Sequence, residues 1–240
     1  MILAAGLGTR LRPLTDTIPK PLVGVAGRPM IAYVIDLLEN FGFSEVLINV
    51  HYLADQLIHF VDEENKRRKN IRLFIQDESE EILGSGGALI KAAPWLFASD
   101  LSALFLNADT LIKPNIKNFI DAHKKNTDCL CTLAVMRHAE AGIRYTGLRV
   151  NKNRINAFIL PKSHSGKEEL FHFPGMYILE KEALKGLVGG VSNFSIVEKL
   201  WMPLAAEGKL GAWEYKGFYQ DLGTVSELRE AEKKIVSGDF

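Results

Sequence analysis

The sequence predicts an α/β protein whose central sheet is open and mostly parallel, with helices on both faces. Three observations predict this class: strand-length apolar runs alternate with helical segments, a glycine-rich loop follows the first run, and the composition is globular. Hydrophobic residues make up 47% and charged residues 24% of the 240 residues, which excludes an intrinsically disordered chain. A chain of this length can bury a large core without disulfides.

The first half of the chain has a regular β-α-β-α order. The predicted strands are residues 1–5, 46–50, 71–75, 104–106 and 130–136. The predicted helices cover residues 30–41, 53–61 and 86–97, and a fourth helix starts at residue 114. Pro29 stands at a suitable first helical position, whereas Pro94 should kink or end the third helix. This alternation favours parallel strands with helices packed on the sheet.

After about residue 137 the order changes to short strands mixed with two helices. The strand candidates are residues 147–150, 154–160, 176–179 and 211–215. One helix carries apolar side chains from Ile196 to Leu204, and the other starts at Thr224, where Thr-Val-Ser-Glu forms a capping box. We predict a single domain over residues 1–240, whose second half completes the sheet and builds a smaller, lid-like subregion.

Charge and cysteine content exclude several functions. With 29 basic and 29 acidic residues the net charge is zero, so we expect neither nucleic acid nor a membrane as partner. No apolar run reaches the ~18–20 residues of a membrane span, and no basic leader precedes the first run. Cys129 and Cys131 are two residues apart in an apolar run, and if that run is a strand, both point to one face, a poor geometry for a disulfide. They predict reduced core thiols and a cytoplasmic protein. The basic run 66–69 is interpreted as a solvated helix end.

A loop with two glycines and two arginines follows the first predicted strand, in the sequence LAAGLGTRLRPLT over residues 3–15. Ligands of open parallel sheets bind at the carboxyl ends of the strands. Gly6 and Gly8 let backbone N–H groups approach an anion closely, and Arg10 adds a guanidinium suited to phosphate. The pattern therefore predicts a phosphate-binding loop.

Two other phosphate-binding loops do not fit this pattern. A dinucleotide loop needs a third glycine where Leu11 stands, and a helix directly after the loop, which Pro13 opposes. The triphosphate pattern GxxxxGK[ST] is absent from the sequence. A purely structural turn is the remaining alternative, and Lys20 argues against it. Held between Pro19 and Pro21, its ammonium group can serve as a second cation for the same anion.

Over residues 3–30 the chain resembles the sugar-1-phosphate nucleotidyltransferases, also called nucleoside-diphosphate-sugar pyrophosphorylases. Their pattern continues from the loop into PKPL and GxPM, which match residues 19–22 and 27–30. The resemblance implies a Rossmann-like nucleotidyltransferase fold and transfer of a nucleotidyl group from a nucleoside triphosphate to a sugar 1-phosphate. Arg10 and Lys20 are the implied catalytic residues. The implied nucleotide contacts in the loop are Leu3, Ala4, Ala5, Gly6, Gly8, Thr9 and Arg10.

The resemblance also implies a Mg²⁺ cofactor held by Asp109 and Asp221. Asp109 ends the apolar run LFLNAD, at the same sheet edge as the loop. Asp221 lies in the segment GFYQDLGT, which resembles the family's WxDxGT except that Tyr219 replaces the tryptophan. Mg²⁺ is commonly held by one or two carboxylates together with substrate phosphates. The alternatives are an aspartate that caps a turn and an acidic loop residue.

Base and sugar contacts are also implied by the resemblance. Gln76, Gly84 and Gly86 match the base-reading segment, although the spacing from Gln76 to Gly84 is longer than in thymidylyltransferases. The positions implied to contact the sugar phosphate are Lys20, Asn107, Gly147 and Gly175. The family's Glu-Lys-Pro segment has its nearest counterpart at 160–162, without the glutamate, so a role of Lys162 is left open.

The resemblance divides the chain into a nucleotide-binding half, about 1–136, and a sugar-binding, metal-completing half, about 137–240. No hexapeptide-repeat tail is visible, which favours a short member, a monomer or small homo-oligomer acting in cell-envelope nucleotide-sugar synthesis. Such members include N-acetylmuramate-1-phosphate uridylyltransferases, mannose- or heptose-1-phosphate guanylyltransferases and phosphocholine cytidylyltransferases. Length and the segment 173–177 favour the uridylyl branch slightly. The alternative from another class is a non-catalytic regulator that binds nucleotide-sugars.

Overall fold

The structure is a computed structural model that describes residues 1–161, 169–187 and 191–240. Its α-helices are α1 (Met30–Asn40), α2 (Ala54–Arg67), α3 (Gly84–Leu96), α4 (Ile116–Lys125), α5 (Met202–Ala206) and α6 (Val225–Val236). The strands of the first half are β1 (Ile2–Leu3), β2 (Gly24–Val25), β3 (Arg28–Pro29), β4 (Glu45–Val50), β5 (Arg72–Asp77), β6 (Ser102–Asn107), β7 (Thr110–Ile112) and β8 (Cys131–Arg137). Those of the second half are β9 (Gly147–Asn151), β10 (Arg154–Ile159), β11 (Phe171–His172), β12 (Met176–Glu180), β13 (Leu210–Glu214) and β14 (Tyr219–Asp221). The α/β class is confirmed.

The chain divides into two compact units that alternate along the sequence. The first unit contains Met1–Ile82, Leu106–Lys113 and Gly217–Phe240, and the second contains Leu83–Phe105 and Pro114–Lys216. Segments far apart in sequence therefore belong to one unit. The glycine-rich loop and both predicted metal ligands are all in the first unit.

The four strands around β1 pair in parallel. β1 lies between β4 and β6, and β5 lies beyond β4, and these neighbours all run in the same direction. Leu3 is in register with Asn49 and Asn107, and Asn49 is in register with Gln76. Four strands thus end at one edge of the sheet, where the loop begins and where ligands of such sheets bind.

A hydrophobic core of the first unit supports the segments on which the predicted charged residues lie. Leu11, Met30 and Leu222 are fully buried there, and Leu228 is almost fully buried. α6 contributes to this core and begins as predicted, because Thr224 caps it by accepting a hydrogen bond from the backbone N–H of Glu227 at 3.3 Å. Burial of these apolar side chains holds three distant chain segments together.

The sheet of the second unit is mixed. β8 pairs in parallel with β13 but antiparallel with β11 and β12, and β10 is antiparallel to both β9 and β13. A mostly parallel sheet is therefore not confirmed for the chain as a whole. The third predicted helix, α3, contains Pro94 and ends two residues later, at Leu96.

The basic run at the end of α2 is more than a solvated surface. Arg68 is only 6% exposed in its side chain, and its guanidinium binds Asp36, Glu39 and Glu64. These partners lie on α1 and α2, so the network joins the two helices. The interpretation of the whole run as solvent-facing was wrong at this position, because the acidic partners on α1 are distant in sequence.

Cys129 and Cys131 are both free and buried, as predicted for core thiols. Among the described residues, helices are too short or too polar to cross a bilayer.

Candidate active site

The glycine-rich loop has a backbone that requires glycine at position 8. Gly8 has φ +65°, and an added Cβ would lie 3.0 Å from Cβ of Lys20 and 3.0 Å from Cγ2 of Thr15. Its carbonyl oxygen accepts hydrogen bonds from the hydroxyl of Thr15 at 2.8 Å and from the N–H of Leu11 at 2.9 Å. The chain then forms a 3₁₀ turn, Thr9–Leu11, rather than an α-helix. Gly8 therefore places the loop directly against Lys20.

The other loop residues are open to solvent or bonded within the protein. Gly6, Thr9 and Arg10 are exposed, and a Cβ on Gly6 would meet nothing within 4 Å. Ala4 is buried, and its N–H donates to Oδ1 of Asn49 at 2.8 Å. The exposed part of the loop can thus receive an anion, whereas the Ala4 amide holds the end of β1 in place.

Lys20 and Asp109 form a close ion pair. Lys20 begins a 3₁₀ turn after Pro19 and is only 8% exposed. Its Nζ lies 2.5 Å from Oδ2 of Asp109, whose side chain is 32% exposed. A lysine this deeply buried is stabilised by a partner charge, which Asp109 supplies.

Asp221 and Arg10 join this pair. β14 is antiparallel to β7, with Asp221 opposite Thr110, and the N–H of Leu222 donates to the carbonyl oxygen of Asp109 at 3.1 Å. Nη1 of Arg10 lies 4.0 Å from Oδ2 of Asp221. Residues 10, 20, 109 and 221, predicted separately from sequence, therefore form one charged cluster in the first unit.

The electrostatics of the cluster oppose ionisation of Asp221. Its pKa is raised above the ordinary value by burial and by the negative charges of Glu227 and Asp109, and Lys20 and Arg10 oppose this only in part. Among the described residues no group of three or more His, Cys, Asp or Glu side chains could hold a metal ion. The cluster offers two carboxylates, so a cation there would need further ligands from elsewhere.

Gly223 lies directly against the guanidinium of Arg10. A Cβ at this position would be 2.6 Å from Nη1 and 2.8 Å from Cζ of Arg10. The guanidinium therefore occupies the space that any other residue at position 223 would fill. The predictions from sequence did not include Gly223, although it stands in the matched segment DLGT.

Polar residues also line the ends of the parallel strands. Gln76, predicted to read the base, is buried, and its Nε2 donates to Oε1 of Glu78 at 2.7 Å. Nδ2 of Asn49 donates to the same oxygen at 3.0 Å. Sequence reasoning missed Asn49 and Glu78 as site residues. Asn49 could have been identified from the sequence, because it is a polar side chain near the end of the apolar run VLINV.

The predicted residues of the second unit have local structural roles. Gly84 has φ +62°, and its added Cβ would lie 2.7 Å from Oδ1 of Asn193. A Cβ on Gly86 would lie 2.0 Å from the ring of Phe194. Packing alone thus requires glycine at both positions, and base contacts by them stay a prediction.

The predicted sugar-facing glycines are constrained in the same way. A Cβ on Gly147 would lie 2.5 Å from Cδ1 of Leu170, and Gly175 has φ +92°. Tyr177, in the segment 173–177 that slightly favoured the uridylyl branch, is fully buried and stacks on Phe105 at 4.5 Å between ring centroids. Lys162 lies outside the described residues.

Residues 1–238 match the family model described as Nucleotidyl transferase. The chain belongs to this family. Its relatives include the mannose-1-phosphate guanyltransferases of Aspergillus fumigatus, 32% identical over 233 residues, and Saccharomyces cerevisiae, 30% identical over 233 residues. The alignments cover 95% of this chain but only 61% and 62% of those relatives, so the chain spans about three fifths of their length.

Solved structures share the fold of this chain. HddC from Yersinia pseudotuberculosis is 26% identical and aligns over 98% of this chain and 97% of its own, with a TM-score of 0.80. A second structure of that protein, complexed with GMP-PN, gives a TM-score of 0.79. Apo UDP-glucose pyrophosphorylase, 17% identical and with a TM-score of 0.78, supports the fold alone.

Proposed function

We propose that this nucleotidyl transferase moves a guanylyl group from GTP to a sugar 1-phosphate and releases pyrophosphate. The observation that carries the proposal is the cluster of Arg10, Lys20, Asp109 and Asp221 beside the glycine-rich loop. The guanyltransferase names of its relatives, and the GMP-PN bound to HddC, favour guanine over the uracil that length and residues 173–177 slightly favoured.

The reaction needs no general base. A phosphate oxygen of the sugar 1-phosphate forms a bond to the α-phosphorus of GTP, and the bond from that phosphorus to the bridging oxygen of the β-phosphate breaks. The electron pair leaves with pyrophosphate. The attacking phosphate monoester has a second pKa of ~6, so its oxygen is already largely ionised at pH 7.

The difficulty of the reaction is to bring two polyanions together. Two like charges 4 Å apart repel by about 4 kcal/mol at an effective dielectric constant of 20, and several such pairs meet in this reaction. Lys20 is assigned to the attacking and transferring phosphates, because its ammonium is buried and its backbone is stiffened by prolines. The exposed Arg10 and the amides of residues 6–9 are assigned to the leaving pyrophosphate.

The residues present fit a Mg²⁺ ion. Asp109 and Asp221 would hold it, since Mg²⁺ takes oxygen ligands and one or two carboxylates suffice when substrate phosphates supply the rest. The repulsion between these carboxylates, which helps to raise the pKa of Asp221, is the charge arrangement that a cation relieves. When bound, Mg²⁺ would neutralise phosphate charge. In the free protein, Lys20 and Arg10 serve as counterions of the two aspartates.

Further contacts complete the proposal. Gln76, Gly84 and Gly86 are assigned to the base, and the sugar phosphate is assigned to Asn107, Gly147 and Gly175 together with Lys20. The reaction takes place in the cytoplasm and needs no nucleic acid or membrane. We also propose that residues 1–240 form a single domain. Its nucleotide-binding half is about 1–136, and its sugar-binding, metal-completing half is about 137–240.

Pyrophosphate release tests this function directly. Four nucleoside triphosphates are each combined with mannose 1-phosphate, glucose 1-phosphate, N-acetylmuramate 1-phosphate and phosphocholine, with and without Mg²⁺. We expect release with GTP and a sugar 1-phosphate, only when Mg²⁺ is present. Release with UTP or CTP in place of GTP would contradict the guanine assignment. Ligand binding without any release would identify a non-catalytic regulator.

Gly223→Ala should weaken pyrophosphate binding roughly 10-fold without unfolding the protein. The added methyl group displaces the Arg10 guanidinium, and a hydrogen bond to a charged group contributes on this scale. Calorimetric titration with pyrophosphate and Mg²⁺ measures the effect. Gly24→Ala is the matched control, because its Cβ would meet nothing within 4 Å. Equal pyrophosphate affinities in all three proteins would show that Gly223 does not position Arg10.

A further inference from the structure

Three buried polar side chains lie where β4 and β5 end. Asn49 and Gln76 are in register on these parallel strands and are 3% and 7% exposed. Glu78 follows β5 directly and is 2% exposed. Its backbone N–H donates to the carbonyl oxygen of Val50 at 2.8 Å, which holds it at this edge. A carboxyl group buried so deeply is unusual and calls for partners.

One oxygen of the Glu78 carboxyl group has two partners. Oε1 accepts from Nδ2 of Asn49 at 3.0 Å and from Nε2 of Gln76 at 2.7 Å. Asn49 in turn accepts the N–H of Ala4, one residue after β1. The carboxyl group is therefore held rigidly between the end of the first strand and the residue predicted to read the base.

The other oxygen, Oε2, is buried and has no hydrogen-bond partner among the described residues. An ionised carboxylate offers about four acceptor sites, and burying one of its oxygens without a hydrogen bond costs free energy. Such an atom in a native protein calls for an explanation, such as a ligand that supplies the missing donor. The network therefore fixes the position of Oε2, which is an acceptor without a donor among the described residues.

We propose that Glu78 selects guanine, with Oε2 accepting a hydrogen bond from the 2-amino group of the base. This inference rests on the proposed guanylyl transfer. Among the four bases only guanine carries an amino group at C2, beside a further donor at N1. Uracil and cytosine present a carbonyl oxygen at C2, and a carboxylate repels that oxygen. The same side chain orients Gln76, because only Nε2 of that amide can donate to Oε1.

The test compares GTP with ITP, whose base lacks only the 2-amino group. Glu78→Gln has the same shape and keeps an oxygen for Asn49 and Gln76, but places an NH₂ group where Oε2 was. We expect the wild-type protein to bind GTP at least 10-fold more tightly than ITP, the scale of a hydrogen bond to a charged group. In Glu78→Gln this ratio should fall to below about 3. Glu80→Gln, at an exposed carboxylate two residues away, should keep the wild-type ratio.

Dissociation constants are measured by calorimetry without sugar phosphate, and melting temperatures verify folding. If Glu78→Gln weakens the binding of GTP and of ITP equally, Glu78 only supports the local structure and the proposal is overturned. If Glu78→Gln does not fold, Glu78→Asp, whose acceptor is drawn back by one methylene, takes its place with the same expectation. A wild-type protein that binds UTP but not GTP overturns guanylyl transfer and with it the role of Glu78. A wild-type protein that transfers guanylyl groups but binds GTP and ITP equally overturns the role of Glu78 alone.

Discussion

Replacing Lys20 by alanine should lower turnover by about 100-fold or more. This is the scale of losing one preorganised electrostatic partner of a transition state. Lys20 is buried, stands between two prolines and contacts Asp109 at 2.5 Å, so no neighbouring cation can take its position without moving. Arg10, the other cation of the cluster, is half-exposed and lies against Asp221.

The measurement is pyrophosphate release at saturating GTP and sugar 1-phosphate, so that the effect on kcat is separated from the effect on KM. Lys216→Ala removes a lysine whose side chain is 78% exposed and should leave kcat unchanged. Lys20→Arg should also be impaired, because the larger guanidinium does not fit the space of a buried ammonium group. A kcat of Lys20→Ala within threefold of the wild-type value would remove Lys20 from the chemical step.

The charged cluster was accessible from sequence because each of its members lies in a recognisable local context. The loop follows an apolar strand, and Asp109 comes directly after another. Parallel strands end at a common edge, so the parallel sheet predicted from the sequence places two such positions close together. Lys20 was identified by its flanking prolines, and Asp221 by the resemblance of its segment to the family's WxDxGT pattern.

Other features of the structure could not be predicted, because their sequence patterns are too short or too ambiguous. The strands β7 and β14 bring Asp221 opposite Thr110, but each has only 3 residues, too few for a recognisable alternation. Strand direction in the second unit was also inaccessible, because a period of two residues is the same in parallel and antiparallel pairs. Glu78 and Asn49 are single polar residues near apolar runs, and their partnership depends on register between β4 and β5.

Replacing Asp221 by asparagine should lower turnover by about 100-fold or more and yet stabilise the free protein at neutral pH. The loss of activity follows from removing one of the two carboxylates proposed to hold Mg²⁺. The gain in stability follows from the raised pKa of Asp221, since burial and the charges of Glu227 and Asp109 disfavour its ionised form in the folded protein. Asparagine keeps the shape of the side chain without the charge.

The sign of this effect gives it a characteristic dependence on pH. A carboxyl group whose pKa is raised by folding destabilises the folded state above that raised pKa, and has no such effect below its ordinary value of 3.8. The advantage of Asp221→Asn over the wild-type protein should therefore be full at pH 7 and vanish as the pH falls below 3.8. Each kcal/mol of relieved repulsion should raise the melting temperature by about 2–4 °C.

Thermal unfolding between acidic and neutral pH, with and without Mg²⁺, tests both halves of this prediction. With GTP present, whose phosphates supply the remaining ligands, Mg²⁺ should raise the melting temperature of the wild-type protein and have little effect on Asp221→Asn, because a ligand stabilises only the state that binds it. Asp128→Asn, at an exposed aspartate, is the matched control and should follow the wild-type protein in both respects. An Asp221→Asn protein that is less stable than wild type at pH 7 would show that Lys20 and Arg10 outweigh the repulsion at Asp221. An equal Mg²⁺ response in the two proteins would place the metal elsewhere.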